Sequence, residues 1–77
     1  MKLHDRIVAD PDVLVGKPVI KGSRLAVEFI LSLLAQGWTE EEIISNYPGI
    51  NKEDIHACLQ YAGEILQLEQ VLPIHLD

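Results

Sequence analysis

A helix-start signal is written twice in the second half of this sequence, and it leaves few ways to fold that half. Thr39 stands at an N-cap position with Glu42 three residues later, the pattern of a capping box. Trp38 before the cap and Ile43 after it are spaced as a hydrophobic staple. The same device returns with Asn51 as the cap, Asp54 at N3, and Ile50 and Ile55 as the staple. Between the two lies Tyr47-Pro48-Gly49, and the residue before a proline is pushed out of helical geometry. Two capped helices joined by a tight turn follow from this spacing. Glu40, Glu41 and Glu42 sit at the positive end of the first helix dipole, each worth about 0.3–1 kcal/mol. Helix electrostatics therefore account for these acids, and for Glu53 and Asp54, without a divalent ion.

A further helix is predicted ahead of these, from about Ala26 to Gln36. Its polar positions, Glu28, Ser32 and Gln36, recur every four residues and leave a narrow solvent stripe. Val27, Phe29, Ile30, Leu31, Leu33 and Leu34 fill the rest, so this helix is expected to be covered on more than one side. Gly37 is a natural left-handed stop. In the last helix the spacing predicts a core stripe of Ile55, Leu59, Ala62 and Leu66. Gly63 is expected where another backbone comes close. Three helices, two of them short and capped around one turn, have the outline of a helix-turn-helix core.

Ahead of the helices the text changes to strand-and-turn sequence. Ile7-Val8-Ala9, Val13-Leu14-Val15 and Val19-Ile20 are short apolar runs, separated by Asp10-Pro11-Asp12 and Gly16-Lys17-Pro18. Two or three very short strands are expected there. The fold class read from the sequence is thus mainly α: a three-helix, helix-turn-helix-like core over residues 26–67, a short β-rich N-terminal arm over 1–25, and a tail over 68–77. All 77 residues are expected to form one domain.

So short a chain buries only about 60–65% of the surface it exposes when unfolded. Yet 48% of its residues are hydrophobic and only 5% aromatic. A homodimer, or an apolar partner, is the simplest place for the surplus. One cysteine, Cys58, forms no disulfide within the chain, and no secretory leader or membrane-length apolar run is read, so a cytoplasmic location is expected. The net charge is −6, but it is unevenly spread. Residues 1–24 carry five cations against three carboxylates, a balance of +2, whereas residues 25–77 carry Lys52 alone against nine, a balance of −8. Nucleic acid, if bound, would have to meet the head, since phosphate contacts need cations.

Reactive constellations are missing from the pattern. Gly16-Lys17 and Gly22-Ser23-Arg24 do not have the spacing of a phosphate-binding loop, and tight turns explain both glycines. His56 and Cys58 are two apart on a helix, about 200° around its axis, and do not face one another. Metal-ligand spacing is absent, and Cys58 reads as a buried, inert thiol. No catalytic residue, metal ligand or cofactor site is assigned. Lys17, Lys21, Arg24 and Lys52 are the candidate partner- or DNA-binding residues. Arg24 has two readings: a fork for a phosphate or a partner's carboxylate, or a clamp on an acid of the chain itself, such as Asp10. Lys52 opens the helix that would read DNA, but Glu53 and Asp54 beside it are poor chemistry for a phosphate-lined groove.

Taken together, Asp10-Pro11, Gly16-Lys17-Pro18-Val19-Ile20, Gly22-Ser23-Arg24, Leu34-Ala35-Gln36-Gly37, Glu41-Glu42-Ile43, Tyr47-Pro48, Glu53-Asp54-Ile55 and Tyr61-Ala62 resemble domain-of-unknown-function family number 433, from Ile7 to about Ala62. Two positions depart: Ser23 stands where threonine is usual, which keeps the hydroxyl, and Ala26 where proline is frequent, which loosens entry into the first helix. The resemblance implies a small, dimeric, helix-turn-helix-like fold with a β-rich arm. It further implies an antitoxin of a type II toxin–antitoxin system, masking a small PIN-like ribonuclease toxin. A DNA-binding transcriptional regulator using the basic arm on operator DNA is the alternative. The resemblance carries no catalytic residues to this chain.

Overall fold

The computed structural model describes residues 1–69. Three short strands come first: β1 (Lys2–His4), β2 (Ile7–Ala9) and β3 (Pro18–Ile20), forming one antiparallel sheet in the order β1-β2-β3. Three helices follow: α1 (Val27–Ala35), α2 (Glu40–Asn46) and α3 (Lys52–Glu69). The β-rich head and three helices read from the sequence are present, but the head is no free arm. Its sheet packs on α1 through β3 and on α3 through β1 and β2.

β2 and β3 pair Ile7 with Ile20, Val8 with Val19 and Ala9 with Pro18. Because side chains alternate along a strand, this register puts Ile7 and Ile20 on one face, and both are fully buried there. Pro18 opens its strand, a place where a missing N–H costs no ladder bond. β1 was not read as a strand from its polar Lys-Leu-His text. The Met1 amine donates to the Ala9 carbonyl at 2.6 Å and the Ala9 N–H to the Met1 carbonyl at 2.8 Å, tying its start to the end of β2.

Val13-Leu14-Val15 corrects the sequence reading. It is no strand but the approach to a tight 3-10 turn over Leu14–Gly16. Pairing of Ala9 with Pro18 confines residues 10–17 to the connection between two neighbouring strands, so the β-branched preference of the run is overruled. The chain reverses through three successive positive φ angles, 50° at Leu14, 57° at Val15 and 80° at Gly16.

The turn after β3 depends on Ser23. Its hydroxyl donates to the Ile20 carbonyl at 2.8 Å and accepts from the Leu25 N–H at 3.0 Å, which steers the chain into α1. Gly37 ends α1 at φ 96°, with Trp38 N–H reaching the Leu33 carbonyl and Gly37 N–H the Leu34 carbonyl. Both capping boxes form. The Thr39 hydroxyl oxygen accepts from Glu42 N–H at 3.1 Å while the Glu42 carboxylate accepts from Thr39 N–H at 2.8 Å. Asn51 and Asp54 repeat the exchange, each bond at 3.0 Å.

Ile7, Ile20, Ile30, Ile43, Ile55 and Cys58 form the centre of the core. In α3 the buried face is Asp54, Ile55, Ala57 and Cys58, with Tyr61 packed against it. The expected stripe was therefore turned: Ile55 holds its place, while Leu59 and Leu66 are exposed. The turn has a polar cause. Asp54 is drawn inward by a clamp described below, and small Ala57 and Cys58 occupy the face that meets the body. Gly63 meets nothing within 4 Å of where a Cβ would stand, so no close backbone approach accounts for it among the described residues. α3 also continues to Glu69, into the segment read as tail, and residues 70–77 lie outside the description.

Candidate functional site

The four cations singled out by sequence do not converge. Lys17, ahead of β3, pairs with Glu28 on α1 at 2.6 Å. Lys52, at the first position of α3, lies 4.0 Å from Glu40 on α2, a carboxylate that also meets His56 at 2.8 Å. Lys21 and Arg24 sit together on the exposed turn between β3 and α1. Lys2 pairs with Asp5 at 3.1 Å, and this contact holds the Asp5 carboxyl below its ordinary range. Lys21 and Arg24 are thus the two cations without an ion pair among the described residues.

Arg24 does not clamp Asp10. Asp10 instead caps its own turn, accepting from the Asp12 N–H at 2.9 Å. The clamp exists, but Arg6 makes it, donating through Nη1 to Asp54 Oδ1 at 3.1 Å. Arg6 lies between β1 and β2 and Asp54 at the start of α3, so nothing local in the sequence links them. The Lys21 N–H donates to the Arg6 carbonyl at 2.8 Å, and Asp5, Arg6, Lys21 and Asp54 line a small polar hollow. The turn bearing the two free cations is therefore anchored to the first turn of α3.

A second feature was missed at the sequence level. The strained turn lifts Val15 to 94% exposure and leaves Leu14 at 43%. A β-branched residue in the left-handed region is a genuine outlier, costing about 1–2 kcal/mol. Leu14, Val15, Ala26 and Phe29 border an open hollow of about 540 Å³. Phe29 is held by an edge-to-face contact with Tyr47, centroids 5.5 Å apart. Val15 also walls a neighbouring hollow of about 460 Å³ with Met1, Ala9 and Pro11. On the other side, Glu28 walls both the first hollow and a third of about 380 Å³ between α1 and α3, lined by Val27, Leu31, Tyr61 and Leu66. The first hollow shares Val15 with the second and the charged Glu28 with the third. The signal available in the sequence was Val15-Gly16 after a turn, and it read as strand text.

The chain's one cysteine is not placed to act as a nucleophile. Cys58 is fully buried, and burial, helped by the nearby Asp54 charge, pushes its thiol up to about 11. Among the described residues no group of three or more His, Cys, Asp or Glu side chains is placed to hold a metal ion. None of the described helices is long and apolar enough to cross a membrane.

A three-stranded antiparallel sheet laid on three helices, with apolar hollows and a pair of exposed cations on its surface, defines a small sheet-and-helix domain whose distinctive chemistry is on the outside. The chain belongs to the family described as "Protein of unknown function (DUF433)", whose model matches residues 7–62. It is similar to a crystal structure of a family member from Anabaena variabilis, with a TM-score of 0.76 and 29% identity over 86% of this chain and 65% of that one. It is also 30% identical over 56 residues to the uncharacterized protein y4eO of Sinorhizobium fredii. That match takes in 73% of this chain but 25% of y4eO, so the chain spans about a quarter of that relative's length.

Proposed function

We propose that the chain is a protein-interaction module acting as the antitoxin of a type II toxin–antitoxin pair, neutralising a PIN-like ribonuclease. The observation that carries this reading is the Lys21–Arg24 turn. In a chain with twice as many acids as cations, 12 against 6, these two remain exposed and without an ion pair among the described residues. Arg24 has no carboxylate partner among the described residues, and Lys21 borders the hollow of Asp5 and Asp54 without closing an ion pair, so both suit an acidic partner. PIN-like nuclease sites are clusters of carboxylates that hold a metal ion. Arg24 or Lys21 would occupy the position of that ion, and Arg24 adds a planar fork for a carboxylate. The apolar segment Val71 to Leu76, expected to dock on the toxin, lies outside the described residues. The test is whether the chain binds and inhibits the product of the neighbouring reading frame, which this reading expects to be a nuclease. Equimolar addition is expected to abolish cleavage, and Lys21→Ala with Arg24→Ala to weaken inhibition at least about tenfold. A nuclease left fully active by an equimolar amount of the chain would rule the reading out.

The same two cations favour a second reading, a DNA-binding regulator. α2, the turn at Tyr47–Asn51 and α3 have the order of a helix-turn-helix, but α3 opens with Glu53 and Asp54 and its Lys52 already faces Glu40. Contact with phosphate would therefore rest on the Lys21–Arg24 turn of each copy in a dimer. Gel shifts with the chain's own promoter separate the readings. Affinity falling steeply with salt, and lost in the double alanine variant, supports DNA binding, whereas no shift at low salt ends it.

A further inference from the structure

We propose that Arg6 and Lys21 form a receptor for one carboxylate side chain of a protein partner. The inference deepens the reading above, on which it rests for the source of that carboxylate. It starts from the way Arg6 is held. Its backbone N–H donates to His4 Nδ1 at 3.2 Å, and the His4 ring is fixed in turn by a 2.9 Å hydrogen bond between its Nε2 and Gln60 Oε1 on α3. The Arg6 carbonyl accepts from the Lys21 N–H at 2.8 Å, and Nη1 donates to Asp54 Oδ1 at 3.1 Å. Backbone and guanidinium are thus fixed from β1, from the turn after β3 and from α3.

The guanidinium so held is only partly used. Arginine carries five N–H donors in a planar fork. One of them is bonded among the described residues, because Asp54 meets the fork with a single oxygen and its Oδ2 accepts the Asn51 N–H instead. The Arg6 side chain is 43% exposed and borders a hollow of about 290 Å³, whose other walls are Lys21, Asp5 and Asp54. Lys21 makes no ion pair among the described residues, so one oriented fork and one uncommitted ammonium share the hollow. Such a fork matches the two oxygens of a carboxylate. Charge selects the same ligand. Lys2 pairs with Asp5 at 3.1 Å, so three cations, Lys2, Arg6 and Lys21, stand around the hollow against two carboxylates, Asp5 and Asp54, a balance of +1. One negative charge completes it. A phosphate dianion, or the phosphate rows of a nucleic acid, would exceed that balance and meet the two carboxylates. The site is assembled before its ligand arrives, so little ordering is lost on binding.

NMR titration of the full chain with sodium acetate, over roughly 1–200 mM and with chloride holding the ionic strength constant, tests this. Saturable shifts are expected at the Arg6 guanidinium and the Lys21 amide. Arg6→Gln keeps an N–H for Asp54 but loses the fork and the charge. Lys21→Ala changes a side chain on an exposed turn, so it stays folded even if the first variant does not. Each is expected to weaken acetate binding roughly tenfold, the size of one hydrogen bond to a charged group, which takes saturation out of this range. Acetate that shifts neither signal saturably overturns the proposal, and so does binding unchanged in Lys21→Ala. Inorganic phosphate held at the same residues more tightly than acetate also overturns it, because the receptor would then be one for phosphate. The titration contains no nuclease, so its result is independent of the inhibition test.

Discussion

Replacing Asp54 by alanine tests the idea that one carboxylate joins the sheet to the last helix. Its side chain is 12% exposed. Oδ2 accepts the Asn51 N–H at 3.0 Å, completing the α3 capping box, and Oδ1 accepts from Arg6 Nη1 at 3.1 Å. Loss of the N3 half of the box and of a carboxylate at the helix start costs about 1–2 kcal/mol. The ion pair adds less, because the Arg6 side chain is 43% exposed and solvent screens it; about 0.5–1 kcal/mol is the appropriate size. Asp54→Ala is therefore expected to cost about 1.5–3 kcal/mol. A chain of 77 residues has roughly 4–12 kcal/mol in all, so urea unfolding should show a clear fall in midpoint. The melting temperature should drop by roughly 6–24 °C. Arg6→Ala leaves the cap intact and should cost about 1 kcal/mol. The double variant Arg6→Ala with Asp54→Asn should show a coupling of about 0.5–1 kcal/mol. An Arg6→Ala variant as damaging as Asp54→Ala would refute the division of labour between cap and clamp. A coupling of zero would refute the clamp itself.

Three further outcomes follow from single features of the molecule. Val15→Asn relieves the left-handed strain, so it should raise stability by about 1 kcal/mol in urea unfolding. The Cys58 thiol is pushed up to about 11 from an ordinary value of 9.0, so the folded chain keeps a proton that the unfolded chain releases. Stability should therefore be unaffected by this group below about pH 9 and fall as pH rises to about 11, by at most about 1.4 kcal/mol per pH unit; Cys58→Ala should flatten that part of the curve. The native chain should also leave a thiol reagent unreacted until it is unfolded. Finally, Thr39→Ala should cost about 1 kcal/mol, measured by the same unfolding curve, because it leaves the Glu42 N–H without its cap.

The capped helices could be read from sequence because each signal is complete within a few residues. Thr39 with Glu42, Asn51 with Asp54, and Gly37 after α1 are local chemistry, and local chemistry prevailed at all three. The stripe of α3 could not be read the same way. Leu59 and Leu66 had the right spacing, but the face that meets the body was chosen by Arg6, 48 residues from Asp54 along the chain. β1 was missed for a related reason: it is held by Met1 against Ala9, and three residues, Lys2 to His4, are too few to carry a pattern of their own. In each case the missing information was a partner distant in sequence.

The Val15 turn and the Lys21–Arg24 turn are departures of another kind. At Val15 the local preference of the sequence and the backbone that forms are in open conflict, and the side chain finds no packing in return. At Arg24 the clamp on an internal acid does not form among the described residues, although acids are in excess. Proteins tend to break local rules at functional or strained sites and to keep them elsewhere. Both departures flank β3, one in the connection from β2 and the other in the connection to α1. An apolar knob thus stands before this short strand and an exposed pair of cations after it. The two can be perturbed separately. If the proposed inhibition of a nuclease rests on the cations, Lys21→Ala with Arg24→Ala should weaken it while leaving the unfolding curve unchanged, and Val15→Asn should leave it unchanged. Inhibition lost in Val15→Asn with the fold intact would refute that division.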